Sequence, residues 1–443
     1  MCERIFPRWK KEQIVFILST AVAAFSTYFC MYAFRKPFTV ANYAQAEELF
    51  GLDFKSVLII AQVVGYAVSK FIGIRVIAEM STAHRGKAIL LLVMASQVAL
   101  ITFALLPDDV KWVALFFNGL PLGMIWGLVF SYLEGRRTTE ILAAILSVSF
   151  IVSTGVVKSA GLFIMLHLGV NEYWMPAATG LLFTVPLFLS VRWLASTPAP
   201  SIRDIGERRK RQPMSHHDRL TLISYYFTGL ACLTLAYMLL SAIRDFSDNF
   251  ATELWQELGY GDAPGIFAVS SIYASLVVLI LLGCVMWINN HFRALMVNHI
   301  MVVAGFVGMG VSSLLFQQGI LSGLSWMISL TVSIYLAYVP FNCIVFERLV
   351  CLVNVRANAG FLIYIADAAG YAGGVAILLF KSGFEGDVSW VHFLIDSAYF
   401  VSIIGMVLML SAATFFRRRL AGGTHNTLKD APGTLKDAPG RAF

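Results

Sequence analysis

Five basic residues lie within or beside long apolar stretches of the sequence, where a charge is costly. They are Arg35, Lys36, Lys70, Lys158 and Arg244. One charge at the centre of a membrane helix costs about 2.5–3.5 kcal/mol even on the lenient insertion scale. Several unpaired cations would therefore cost on the order of 10 kcal/mol, as much as a whole domain's stability. Such side chains need water, a counter-charge or both, so the sequence predicts a polar cavity inside the protein.

The expected guest of this cavity is an anion, because few acidic residues accompany the cations. Asp245, Asp367 and Asp396 are the acidic residues near the same stretches. Arginine suits phosphate or carboxylate, since its planar guanidinium donates two parallel hydrogen bonds. Two of the five cations are arginines.

The elements that position these residues are membrane helices. The chain has 443 residues, of which 58% are hydrophobic and only 13% charged, and its mean hydropathy is +0.75. Apolar runs of about 20 residues recur along it, as spanning helices require. The runs do not alternate as barrel strands do. We predict twelve spans, at 14–38, 55–79, 88–106, 112–133, 139–166, 173–194, 220–244, 264–288, 292–315, 320–346, 357–380 and 392–416.

Basic residues fall mainly on one side of these spans. When loops are assigned to alternating sides, 23 of the 33 Lys and Arg residues lie with both termini and the central loop. Only Lys55, Lys111 and Lys381 lie opposite, so the positive-inside rule places both termini in the cytoplasm. We predict an all-α integral membrane protein with a six-helix bundle at 1–195, a basic linker at 196–219, a second six-helix bundle at 220–416 and a disordered tail at 417–443. Two six-helix halves joined in this way are the organisation of a major facilitator transporter.

Arg35 and Arg244 then belong to the first helix of each half, and these helices face each other across a central cavity. One guanidinium from each half would hold one anion. In the alternative interpretation, Arg35 and Lys36 mark the outer end of span 1 and reach lipid headgroups. From Ile14 to Arg35 the helix would rise about 31 Å, close to the thickness of the hydrocarbon core.

Two motifs resemble the organophosphate:phosphate antiporters of the major facilitator superfamily. "Tyr-Ala-Phe-Arg-Lys-Pro-Phe" at 32–38 is similar to that family's first-helix signature, and "Tyr-Ala-Val-Ser-Lys-Phe" at 66–71 to its second-helix segment. "Asn-Gly-Leu-Pro-Leu-Gly-Met-Ile-Trp" at 118–126 resembles its span 4 pattern, and Arg244 falls where the family carries a second arginine. The resemblance implies that Arg35 and Arg244 bind phosphate and that Lys70 lines the cavity. Span 5 carries Lys158 and lacks the histidine expected from the family.

Several roles stay open at this point. Lys158 is either a third substrate cation or a partner of Asp367, and Asp367 either takes up a proton for symport or neutralises a cation. Tyr32, Tyr66 and Trp126 are candidate cavity residues, although core packing or a membrane-interface position is the simpler explanation for each of them. Histidines without metal-ligand spacing, and the lack of a nucleophile elbow or Walker loop, argue against an enzyme and against any cofactor.

We therefore predict a monomeric secondary transporter of the inner (cytoplasmic) membrane that binds a small anion and no nucleic acid. Phosphate or an organophosphate is the expected substrate class. The alternatives are a transporter-like membrane sensor of an organic anion and a proton-coupled anion symporter that uses Asp367.

Overall fold

The protein contains twelve helical spans that are long and apolar enough to cross a membrane, as predicted. The computed structural model describes residues 11–134, 136, 138–198, 214–286, 288, 290–382 and 389–426. Spans 4 and 10 are each broken, span 10 by the π-helical turn Phe341–Val345. The helices of spans 1 to 12 are Lys11–Tyr32, Phe54–Glu79, Thr82–Leu105, Lys111–Leu122 with Ile125–Leu133, Thr139–Leu168, Met175–Ala195, His216–Asn249, Ile266–Met286, His291–Gln317, Gly323–Pro340 with Phe346–Val350, Ala359–Ser382 and Trp390–Asn426.

The spans form two six-helix bundles that repeat one packing pattern. In the first bundle span 1 packs against spans 5 and 6, span 4 against spans 2 and 3, and span 3 against span 6. The same pairs recur six spans later: 7 with 11 and 12, 10 with 8 and 9, and 9 with 12. Glycine permits the closest of these contacts. A Cβ atom on Gly65 would lie 2.2 Å from the Phe116 carbonyl oxygen, and one on Gly119 would lie 2.2 Å from that of Gln62.

Spans run alternately up and down, so an even number returns the chain to the end where it began. We call this the proximal end. The opposite, distal end carries the 3₁₀ turn Pro37–Val40 and the short helix Ala251–Glu257. The bundles meet mainly through spans 5 and 8, and also through spans 2 and 11 and through span 5 with the π turn. Gly155 of span 5 and Ser271 of span 8 are so close that a glycine Cβ would lie 2.0 Å from the serine Oγ.

Four predicted boundaries are wrong by five residues or more. Span 3 begins at Thr82 rather than at residue 88, and two of the other three boundaries affect the site. Span 1 ends at Tyr32 rather than at residue 38, because Pro37 cannot continue a helix and a turn begins at Ala33. Span 7 continues past residue 244 to Asn249, since Ile243, Phe246 and Asn249 are buried on one helical face.

The last helix runs to Asn426, so the predicted tail does not begin at residue 417. Residues 427–443 of that tail, most of the predicted linker (199–213) and residues 1–10 lie outside the described residues. The division of the chain at 195 and 219 stays a prediction.

Candidate functional site

Arg35 lies in the turn after span 1, and its side chain points back into the bundle. The guanidinium carbon is 4.0 Å from the centroid of the Tyr66 ring and 5.8 Å from that of Tyr32. Tyr66 is twelve residues into its helix, about 18 Å from the distal start of span 2. The charge therefore lies within a hydrocarbon core of about 30 Å and not at its edge. This placement contradicts the lipid-headgroup interpretation.

Arg35 differs from the other five interface cations in having no carboxylate partner in the described part of the chain. Among the residues that the structure describes, no ion pair involves Arg35, and its Nε atom is buried without a hydrogen-bond partner. Contact with tyrosine rings stabilises a cation by about 0.5–2 kcal/mol, which does not satisfy five N–H donors. The group is therefore positioned to receive an acceptor from outside the chain.

Polar side chains hold the turn that presents Arg35. Asn118 donates to the Phe34 carbonyl oxygen at 2.9 Å, and Gln62 donates to the Arg35 carbonyl oxygen at 3.0 Å and to the Asn118 side-chain oxygen at 2.7 Å. Ser96 lies 2.5 Å from the Asn118 amide nitrogen. Non-helical backbone at membrane depth is tolerated only where protein groups satisfy it. Spans 2, 3 and 4 therefore fix the orientation of Arg35.

If an anion binds at Arg35, Asn118→Leu should weaken its binding about tenfold, although the Asn118 side chain contacts the backbone of the turn and not the guanidinium. The substitution keeps the branched shape of the side chain but removes the stronger donor to the Phe34 carbonyl oxygen and the acceptor for Gln62, leaving only Ser96 at 3.4 Å from that carbonyl. Losing such buried partners costs about 1–3 kcal/mol. Isothermal titration of the purified variant measures the affinity, and Thr184→Val, which removes a hydroxyl bonded only within span 6, serves as the control. Equal affinities in all three proteins would contradict a positioning role for Asn118.

Arg244 extends from span 7 to a similar depth. Its guanidinium carbon is 4.1 Å from the centroid of the Tyr338 ring, and its terminal nitrogen is 2.5 Å from the adjacent Asp245 carboxylate. Tyr338 is fifteen residues into span 10, about 22 Å from its distal start. Both arginines thus reach aromatic rings near the middle of the membrane, one from each bundle.

Lys36 and Lys158 share one carboxylate from the other bundle. Asp248 of span 7 accepts from Lys158 at 2.7 Å and forms an ion pair with Lys36, which also donates to Asn249 at 2.8 Å. The alternative that pairs Lys158 with Asp367 is therefore wrong. The prediction missed Asp248 because it ended span 7 at residue 244 and assigned this aspartate to an outer loop. A cavity of about 60 Å³ lies against Lys158, Arg244 and Asp248.

Lys55 provides a further link between the bundles, and the sequence prediction had placed it in an outer loop. It is buried at the start of span 2, where its ammonium lies 2.5 Å from the Glu253 carboxylate and 5.3 Å from the centroid of the Phe250 ring. Burial raises the pKa of the Glu253 carboxyl, although Lys55 acts in the opposite direction. As the pH falls, this pair should lose its attraction earlier than an exposed glutamate pair would.

Lys70 and Asp367 form the link nearest the proximal end. The Lys70 ammonium lies 2.6 Å from Asp367 Oδ2, and the Tyr237 hydroxyl donates to Asp367 Oδ1 at 2.8 Å. Tyr237 is in turn 2.9 Å, oxygen to oxygen, from Tyr338. Asp367 is therefore paired with a cation, and this cation is Lys70 of span 2 rather than Lys158. The distance of this lysine along the sequence concealed the contact.

The predicted aromatic residues divide into two groups. Tyr32 and Tyr66 are buried beside Arg35, and Tyr66 lies 6.1 Å, centroid to centroid, from Tyr371 of the other bundle. Trp126 stacks on Phe130 of its own span at 4.8 Å, and no contact among the described residues joins it to the cations. Packing within the first bundle accounts for Trp126.

The interface between the bundles therefore carries more positive than negative charge. Its described ion pairs and cation–π contacts include six cations but only four carboxylates. The cations are Arg35, Lys36, Lys55, Lys70, Lys158 and Arg244, and the carboxylates are Asp245, Asp248, Glu253 and Asp367. Within the described ranges no group of three His, Cys, Asp or Glu side chains could hold a metal ion. The arrangement is suited to binding an anion.

Solved transporter structures share this fold. The xylose transporter XylE from E. coli matches with a TM-score of 0.58 at 14% identity, over 96% of this chain and all of that one (100%). The nucleoside transporter NupG matches with a TM-score of 0.57 at 13% identity, over 89% and 98%. A bacterial homologue of the human lysosomal transporter Spinster matches with a TM-score of 0.53 at 12% identity, over 94% and 98%. At these identities the likeness shows the fold alone, which is the major facilitator fold.

No curated protein matches the sequence. One family model matches residues 37–419, from the turn beside Arg35 almost to the end of span 12. Because this match covers well over half of the sequence, the chain belongs to the family described as "Family of unknown function (DUF5690)".

Proposed function

We propose that the protein is a secondary transporter that moves a small anion, a phosphate or an organophosphate, across the membrane by alternating access. The observation that carries this proposal is Arg35: a guanidinium at membrane depth, between two tyrosine rings and without a carboxylate partner among the described residues. A second arginine at comparable depth comes from the other bundle. Similar folds in transporters of nucleosides and xylose support the transport part of the proposal and not the anion.

In this mechanism the anion binds between Arg35 and Arg244. Each guanidinium can donate two hydrogen bonds, so a tetrahedral phosphate can be held by both bundles at once. Rocking of the bundles would then expose the site to alternate ends. The lysine–carboxylate contacts of Asp248 and Glu253 close the distal end in the present conformation, so they must separate when that end opens.

The remaining assignments belong to the same proposal. The excess of Lys and Arg at the proximal end favours a cytoplasmic proximal end and cytoplasmic termini. The distal end would then face outward from the inner (cytoplasmic) membrane. Phosphate and organophosphates can replace each other at a site of this charge, so one should drive counterflow of the other whichever ion is coupled to transport. A monomer suffices because the chain supplies both bundles.

A ligand-stabilisation screen of the purified full-length chain tests the anion site. Inorganic phosphate, glycerol 3-phosphate, a phosphonate and a carboxylate are compared with uncharged xylose and a nucleoside. We expect a phosphate compound to raise the Tm, because a ligand at 100 times its Kd stabilises the folded state by about 2.7 kcal/mol. Stabilisation by the uncharged compounds, with none of the anions active, would overturn the proposal.

A further inference from the structure

The Lys70–Asp367 ion pair lies beside the proposed anion site and joins the two bundles. Span 2 supplies the ammonium and span 11 the carboxylate, with 2.6 Å between Nζ and Oδ2. Both side chains are largely buried, at 21% and 14% exposure. Separating the bundles at this point would leave each charge without its partner in a poorly hydrated place, which is costly.

Lys70 is also within reach of the anion that Arg35 would hold. The Arg35 guanidinium carbon is 4.0 Å from the Tyr66 centroid, and the Lys70 ammonium is 5.7 Å from the same centroid. The two cationic centres are therefore at most about 10 Å apart. A phosphate group held by Arg35 would therefore lie close enough to compete with Asp367 for Lys70.

Contacts on the other side of Asp367 lead to the second arginine. Tyr237 donates to the carboxylate at 2.8 Å and lies 2.9 Å from the Tyr338 hydroxyl, while Arg244 rests 4.1 Å from the Tyr338 ring centroid. Lys70 of span 2 and Tyr237 of span 7 contact Asp367 directly. Tyr66 of span 2 and Tyr371 of span 11 lie beside the Lys70 ammonium, and Tyr338 and Asn342 of span 10 lie beside the Tyr237 hydroxyl. Among these described neighbours Lys70 is the cation in direct contact.

Charge balance determines what happens when an anion replaces Asp367 as the partner of Lys70. The Lys70–Asp367 pair is neutral overall. If a bound anion replaces the Asp367 carboxylate at Lys70, that carboxylate is left without a counter-ion. A carboxylate that loses its cation in a poorly hydrated site becomes neutral by binding a proton. With one proton bound, the net charge of the site is unchanged for a monovalent anion, and for a dianionic phosphate it becomes more negative by one unit instead of two.

We propose that Asp367 is the proton-binding site of an anion–proton symport cycle. The anion replaces the Asp367 carboxylate at the Lys70 ammonium, and the released carboxylate forms an O–H bond with a proton from water. The contact between spans 2 and 11 opens in the same step, which frees the bundles to move. When the anion leaves, Asp367 returns the proton and binds Lys70 again. This inference rests on the anion site proposed above and assigns to that site a proton as co-substrate.

Proton uptake during binding tests the inference directly. Glycerol 3-phosphate is titrated into the purified full-length protein at pH 7.5, in buffers of different ionisation enthalpy, and the calorimetric difference gives the protons bound per anion. This probe enters as a dianion, since the second pKa of a phosphate monoester is about 6. We expect about one proton per anion in the wild type and none in Asp367→Asn, which can still accept hydrogen bonds from Lys70 and Tyr237.

Two further variants complete the test. Asp396→Asn removes an exposed carboxylate of span 12 and should retain the uptake of one proton. Lys70→Gln should bind with lower affinity and without proton uptake. In this variant Asp367 has no cation partner even before the anion binds, so anion binding breaks no ion pair and adds no proton. Binding to the wild type without proton uptake would overturn the proposed replacement of Asp367 at Lys70, but it would not contradict anion binding by the two arginines. Absence of binding by every phosphate compound would instead overturn the transporter proposal itself.

Discussion

Replacement of Arg35 by alanine should abolish measurable anion binding while the protein remains folded. Truncating one partner of a buried, charge-assisted hydrogen bond costs about 2–5 kcal/mol, which corresponds to a fall in affinity of about 30-fold to several thousand-fold. Folding should survive because Arg35 has no carboxylate partner among the described residues and loses mainly its contacts with Tyr66 and Tyr32. The Kd from isothermal titration and the Tm of the unliganded protein report the two effects separately.

Two controls separate this role from a general effect of charge. Arg192→Ala removes an exposed arginine near the proximal end of span 6 and should leave the Kd unchanged. Arg35→Lys retains the charge but not the planar fork, so it should recover only part of the affinity. If Arg35→Ala bound the anion as tightly as the wild type, the guanidinium would not be part of the binding site.

Asp248→Asn should strongly destabilise the unliganded protein. This carboxylate neutralises both Lys36 and Lys158, whose side chains are only 9% and 2% exposed. Removing one partner of a buried ion pair costs about 3–5 kcal/mol, because it leaves the remaining charge uncompensated, and here two lysines lose their partner at once. A fall in the Tm of the unliganded protein measures this effect.

Rescue identifies the cause of the instability. The triple variant Asp248→Asn, Lys36→Met, Lys158→Met removes the buried charges together, so it should recover most of the lost Tm. Asp396→Asn, an exposed carboxylate in span 12, should leave the Tm unchanged. A triple variant no more stable than Asp248→Asn alone would mean that Asp248 stabilises the fold through something other than the two lysines.

The number of spans and the fold class followed from sequence because each depends on local composition. A run of about 20 apolar residues is visible without knowledge of its neighbours, and so is Arg35 or Lys158 within it. The repeat of five packing pairs in the two bundles agrees with the predicted two halves. The motif at 32–38 contains Arg35 and Lys36, and Lys36 contacts Asp248 of the other bundle.

The pairing of the charges did not follow, because it depends on contacts between residues far apart in the sequence. Lys70 and Asp367 are 297 positions apart, and Lys36 and Asn249 are 213 positions apart. Depth was equally hidden. Residue counting placed Arg35 near a membrane edge, whereas Pro37 ends the helix early and the side chain turns back to Tyr66. Asp245 and Asp248 are three residues apart, as are the neighbouring Ile243 and Phe246, and this spacing is typical of a helix. Extending span 7 on that basis would have placed Asp248 in the helix.

Counterflow in proteoliposomes tests the central claim that Arg35 and Arg244 hold a transported anion. Purified protein is reconstituted into vesicles loaded with unlabelled phosphate, and entry of labelled phosphate is followed. We expect entry well above that of protein-free vesicles in the wild type, loss of this entry in Arg35→Ala and in Arg244→Ala, and no loss in Arg192→Ala. Equal entry in the wild type and Arg35→Ala, or tight phosphate binding without any counterflow as in a membrane sensor, would contradict it.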